Sequence, residues 1–162
     1  MNKTKTLLLL VTLIAYKSVS AQEKKLLDNI NITEVLMHLD WPRMDYFDNE
    51  NKSVDLRKNN RRVVFMGNSI TRGWAHYMPE MFDNQTYINR GIGGQTTPQM
   101  LLRFRQDVIH LKPEIVVILA GTNDIAGNTP LKGLETVAGH LFSMAELART
   151  NNIKVILCSL LP

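Results

Sequence analysis

Cysteine is nearly absent from this chain: Cys158 is the only one among 162 residues. One thiol cannot build a disulfide framework, nor can it supply the several thiolates of a structural zinc site. Cys158 lies in an apolar run and reads as a buried strand residue. An excess of one charge is also missing. The formal net charge is only +4, from 19 Lys and Arg against 15 Asp and Glu, and Lys3, Lys5 and Lys17 account for most of it. No basic stripe with interleaved aromatics remains further along, so nucleic acid is not expected as a partner. Apolar runs long enough to span a membrane, about 20 residues, are lacking too. The longest, Leu7 to Ala15, follows two lysines and leads to Val19-Ser20-Ala21, with suitable residues at the −3 and −1 positions of a cleavage site. Residues 1–21 therefore read as a signal peptide cleaved after Ala21, with no stable membrane span once it is removed. The expected address is secreted or periplasmic. No cysteine follows the apolar run, so a lipid anchor at that point is not expected.

What is present is enough apolar material, 44% of residues, for one domain with a single core. Residues 22–60 are polar and Asn-rich. They carry two modest helical patterns, Leu26, Leu27 and Ile30, then Val35, Leu36 and Leu39, and a third short helix is expected from Trp41 to Asn51. This segment reads as an N-terminal helical extension packed on the domain of residues 61–162. From Arg61 onward, short β-branched runs recur at Val63–Met66, Thr86–Ile88, Ile115–Leu119 and Val155–Leu157. Helical stretches fall between them, near Gly73–Met81, Pro98–Leu111 and Leu131–Asn151, the last two opened by Thr-Pro pairs. Strands alternating with helices, and reading as continuous apolar runs, predict a parallel sheet covered on both faces. Right-handed crossovers place the C-terminal ends of such strands on one edge, where open α/β sheets hold their ligands.

The loops on that edge carry the chemistry. In Gly67-Asn68-Ser69-Ile70-Thr71 a serine follows a strand directly, placed either as a nucleophile or as a helix N-cap. Arg90-Gly91-Ile92-Gly93-Gly94-Gln95-Thr96 has three glycines in four positions. Such a loop can aim a backbone N–H at a developing oxyanion, serve as a flexible connection, or cradle a phosphate. Thr96 stands where the dinucleotide fingerprint requires its last glycine, which weakens the phosphate alternative. Gly121-Thr122-Asn123-Asp124 offers an amide donor at the third strand end, and by itself also reads as a turn.

Together, in this order and spacing, the three loops resemble blocks I, II and III of the SGNH, or GDSL-type, esterases and lipases. The stretch from Asn89 to Thr122 looks most like the platelet-activating-factor acetylhydrolase branch. The resemblance implies a three-layer α/β/α flavodoxin-like parallel sheet. It also implies a catalytic Ser69 nucleophile, with the Ser69 N–H, the Gly94 N–H and the Asn123 side chain as the oxyanion hole. The implied reaction is hydrolysis of a short acyl ester through an acyl-serine intermediate, without metal or cofactor. A small ester or an acetylated glycan is the implied partner. A lysophospholipase-like lipid esterase and a catalytically dead glycan- or ester-binding module are the alternatives from the same cleft, and a nucleotide or phosphate binder is the rival from another class. Asn68 stands where the family more usually has Asp.

A serine hydroxyl needs a general base, and the family takes it from a late Asp-x-x-His block that this sequence does not contain. The domain is therefore expected to be C-terminally incomplete, lacking its last strand and helix, and inactive or weak. The four histidines offer poor substitutes. Asp107-Val108-Ile109-His110 has the right spacing but precedes the third strand, near the wrong edge of the sheet, and reads as a surface pair. His76 is about two helical turns beyond Ser69. His38 and His140 read as packing or solvated residues.

Overall fold

The computed structural model describes residues 40–57, 61–84, 86–128 and 133–160. The expected signal peptide, the two helical patterns before residue 40, His38 and the Thr129-Pro130 helix opening lie outside the described residues.

Four strands form one parallel sheet: β1 (Val63–Gly67), β2 (Tyr87–Gly91), β3 (Ile115–Leu119) and β4 (Lys154–Leu157), in the order β2-β1-β3-β4. β1 and β3 are the inner strands, and on β1 Val64 lies opposite Ile88 on one side and Val116 on the other. Side chains alternate between the faces. Val64, Met66, Ile88, Val116 and Ile118 point into the main core, where they meet Met100 and Phe104 of one helix, Val108 just past its end, and Met144 and Ala148 of another. Those helices are α3 (Thr97–Asp107) and α5 (Leu134–Thr150). On the opposite face Phe65 meets Trp74, Phe82 and Tyr87 edge-on, with ring centroids 5.6 to 5.9 Å apart. Trp74 belongs to α2 (Ser69–Tyr77). Helices therefore cover both faces, as the flavodoxin-like expectation required. Burial of each large side chain of the main core contributes on the order of 2 kcal/mol.

The strands fall within a few residues of their expected positions. β2 departs most, running on through Asn89, Arg90 and Gly91, polar residues that strand propensity disfavours. They are carried by tertiary contacts: the Arg90 guanidinium lies 4.6 Å over the Phe47 ring and reaches the Asn51 Oδ1 from both Nε and Nη2. The helix expected from Trp41 to Asn51 is shorter. Turns occupy residues 41–47, and α1 spans Asp48–Ser53. Pro42 and the left-handed Arg43, at φ 55°, interrupt a helix. The carbonyls of Trp41, Pro42 and Met44 instead accept hydrogen bonds from Gln99, Gln95 and Gln106. α3 starts on a capping box between Thr96 and Gln99, with a proline in its first turn. Cys158 corrects an expectation: it lies one residue beyond β4 and is half-buried.

Candidate active site

The order β2-β1-β3 puts the chain's reversal of direction at β1. In such sheets the ligand crevice opens at the carboxyl ends of the strands flanking that point. The loops after β1, β2 and β3 all emerge there.

Ser69 is the first residue of α2 and is exposed. The N-cap is Asn68, whose Oδ1 accepts from the Ile70 N–H at 3.0 Å while its Nδ2 donates to Thr122 Oγ1 at 2.9 Å. The residue that caps the helix is thus not the one whose hydroxyl faces solvent, which frees Ser69 from the capping role. Asn68 also ties the β1 loop to the β3 loop. The glycine loop then closes against this helix start. A Cβ at Gly91 would lie 2.2 Å from the Arg72 nitrogen and 2.8 Å from the Asn68 oxygen, so only glycine permits the approach. Asn89 fixes the same junction, donating from Nδ2 to the Thr71 carbonyl and accepting the Gly91 N–H. Gly94 stands exposed at φ 79°, a left-handed conformation that favours glycine. Among the described residues neither the Ser69 N–H nor the Gly94 N–H has a hydrogen-bond acceptor.

On the third loop, α4 (Thr122–Ile125) starts after Gly121. Asn123 donates one N–H of its amide to the Gln95 carbonyl at 2.9 Å, leaving the other free to face a ligand. The adjacent Asp124 is buried and accepts from both the backbone N–H and the hydroxyl of Thr97. Because the Thr97 hydroxyl donates its proton to that carboxylate, it can only accept from His140, whose Nδ1 lies 2.9 Å away. His140 therefore carries its proton on Nδ1. Half-buried on α5, it has this one hydrogen bond beyond the packing or solvation read from sequence.

The Asp107 and His110 pairing also fails, for a different reason. Asp107 is fully buried and forms an ion pair with Arg103 at 2.9 Å, while its other oxygen accepts from Asn51 at 2.7 Å. His110 is exposed in a short 3₁₀ turn, Ile109–Leu111. His76 is exposed near the end of α2, edge-on to Tyr77. No described histidine is hydrogen-bonded to Ser69. Burial lowers the Arg90 pKa to about 10, with the Asp107 charge opposing that effect, so the side chain stays cationic at neutral pH. Burial lowers Arg103 as well, again against Asp107. Sequence reasoning missed this buried group of Asn51, Arg90, Arg103 and Asp107. The available signal was an Arg and an Asp four residues apart on α3, on the same face as Met100 and Phe104.

A doubly wound α/β sheet with a solvent-facing serine at a helix start, a left-handed glycine and an amide side chain on adjacent strand ends defines a class of hydrolase-like architecture. Comparison with known proteins narrows it. A model of the GDSL-like lipase/acylhydrolase family matches residues 65–162, and the chain belongs to that family. A GDSL-like lipase of known structure from Bacteroides thetaiotaomicron VPI-5482 is 51% identical, with a TM-score of 0.71 over 75% of this chain and 60% of that one. Platelet-activating factor acetylhydrolase IB subunit alpha2 from Homo sapiens is 30% identical over 114 residues, 67% of this chain and 48% of that protein. The crystal structure of an acetyl xylan esterase is 28% identical, with a TM-score of 0.53 over 60% of this chain and 57% of that one. The chain spans about half the length of the curated relatives it matches.

Proposed function

We propose that this chain carries the nucleophile and oxyanion hole of an exported serine acylhydrolase that removes a short acyl group, most simply acetyl, from an ester of a carbohydrate. The observation that carries the reading is the convergence of Ser69, Gly94 and Asn123 on adjacent strand ends beside the point where the sheet reverses. In the first step Ser69 Oγ attacks the ester carbonyl carbon, its proton passes to a general base, and the carbonyl oxygen becomes an oxyanion. The Ser69 N–H, the Gly94 N–H and the free N–H of Asn123 receive that charge. Collapse expels the alcohol as the base returns its proton to the leaving oxygen; water, giving a proton to the same base, then attacks the acyl-serine, releasing the carboxylic acid and restoring the Ser69 hydroxyl. The base in this reading comes from a late Asp-x-x-His segment of the kind the family resemblance implies. Two relatives are named for acetyl esters, one of them on xylan, which favours acetyl over long acyl chains. Export rests on the N-terminal lysines and apolar run.

Hydrolysis of p-nitrophenyl acetate tests the proposal. It is measured for the 162-residue chain, for a form extended through the downstream reading frame, and for Ser69→Ala in each. Activity confined to the extended form and lost in Ser69→Ala is the expected result, with a loss of about three to six powers of ten in turnover. Inactivity of both forms would instead identify a binding module. Activity of the short form would place the base within the 162 residues.

A further inference from the structure

Arg103 is fully buried in α3, with no direct part in the proposed chemistry, yet its guanidinium bonds the loops after β1 and β2, and through Gln95 it is linked to Asn123 on the loop after β3. Its Nη2 donates to the carbonyl of Arg90 at 2.8 Å and approaches that of Gly67 at 3.4 Å. Gly67 is two residues before Ser69 and Arg90 four before Gly94. Its Nε donates to Gln95 Oε1 at 2.6 Å, and the Gln95 backbone carbonyl is the acceptor that holds Asn123. The remaining face is tied to Asp107, itself bonded to Asn51.

We infer that Arg103 is a positioning residue for the oxyanion hole, setting the separation of the Ser69, Gly94 and Asn123 donors by holding Gly67, Arg90 and Gln95 on one rigid fork. This inference rests on the function proposed above. The physical basis is the planarity of the guanidinium: donors in fixed relative directions reach several acceptors at once, whereas a lysine offers one compact charge on a flexible stem. Oxyanion donors act only within a few tenths of an ångström of their optimum, and a misplacement of about 1 Å costs on the order of a hundredfold in rate.

The test uses the form that shows Ser69-dependent hydrolysis and compares Arg103→Lys with Arg62→Lys. Arg62 is equally buried but bonds the Leu111 and Asp55 carbonyls, away from the site loops, so its replacement reports the cost of losing any buried arginine. Arg103→Lys is expected to lower kcat about tenfold to a hundredfold with KM within about threefold, while Arg62→Lys lowers Tm without that loss in kcat. Equal kcat in the two variants would overturn the inference. A second readout is independent of activity: the side-chain amide NMR signals of Asn123 in the 15N-labelled chain should shift in Arg103→Lys and stay in place in Arg62→Lys. Unmoved signals in Arg103→Lys overturn the inference even if the protein hydrolyses nothing. A moved signal without hydrolysis supports the positioning role and rejects the proposed activity alone.

Discussion

Asn68 and Asn123 share a chemical type and divide two tasks between them. Asn68 uses both ends of its amide internally, one on the helix start and one on Thr122. An Asp at this position would keep the acceptor, and the Thr122 hydroxyl could reverse to donate, which explains why the more usual family residue and this one are compatible. Asn123 spends one N–H on Gln95 and keeps one. Asn123→Ala should therefore lower kcat for p-nitrophenyl acetate by about a hundredfold to a thousandfold, the usual consequence of losing one oxyanion donor, with little change in KM or Tm. A parallel rise in KM would mean that the amide binds substrate in the ground state as well. At this scale the sequence was informative where chemistry depends on a local pattern. The polar loops after the apolar strands could be picked out from local composition, and the family resemblance then singled out Ser69, Gly94 and Asn123 within them. Asp107 could not be read correctly: its spacing to His110 suggested a surface pair, whereas its partners are Arg103 and the distant Asn51.

At the scale of elements, α3 is the member that links fold to site. Its apolar residues Met100 and Phe104 face the sheet, and its inward polar residues Gln99, Arg103 and Asp107 hold the segment of residues 41–51 and the strand-end carbonyls. Asp107 is the buried carboxylate that balances Arg103, and its charge also favours the charged form of Arg90. Asp107→Ala leaves Arg103 buried without its counter-charge and should cost about 3–5 kcal/mol, measured by chemical denaturation. A loss below about 1 kcal/mol would show that water or rearrangement satisfies the guanidinium. The positions of β1, β3 and β4 were readable from β-branched runs. The extension of β2 through Arg90 was not, because Phe47 and Asn51, distant in sequence, stabilise it.

For the whole molecule, the sheet is asymmetric. β2 and β1 are covered on one face by α2, but on that same face β4 leaves Ile156 half exposed, paired only with Val117 of β3, and among the described residues β4 has no second strand beside it. An apolar edge strand of this kind promotes association between chains. The 162-residue chain is expected to self-associate with increasing concentration, and Ile156→Lys should reduce that association by light scattering without lowering Tm by more than a few degrees. Association that Ile156→Lys leaves unchanged would locate the sticky surface elsewhere.

The sequence by itself determined the alternation of strands and helices, the loops that carry Ser69, Gly94 and Asn123, and the family resemblance, because each depends on short-range composition and spacing. Only the tertiary structure decided that Asn68 caps the helix and leaves Ser69 free, that Gly91 must be glycine to admit the Arg72 backbone, and that Asp107 is buried. It also showed that a single arginine on α3 bonds two strand-end loops directly and reaches the third through Gln95. These outcomes depend on groups far apart in the chain competing for the same hydrogen bonds in a space closed to water, which no local pattern encodes.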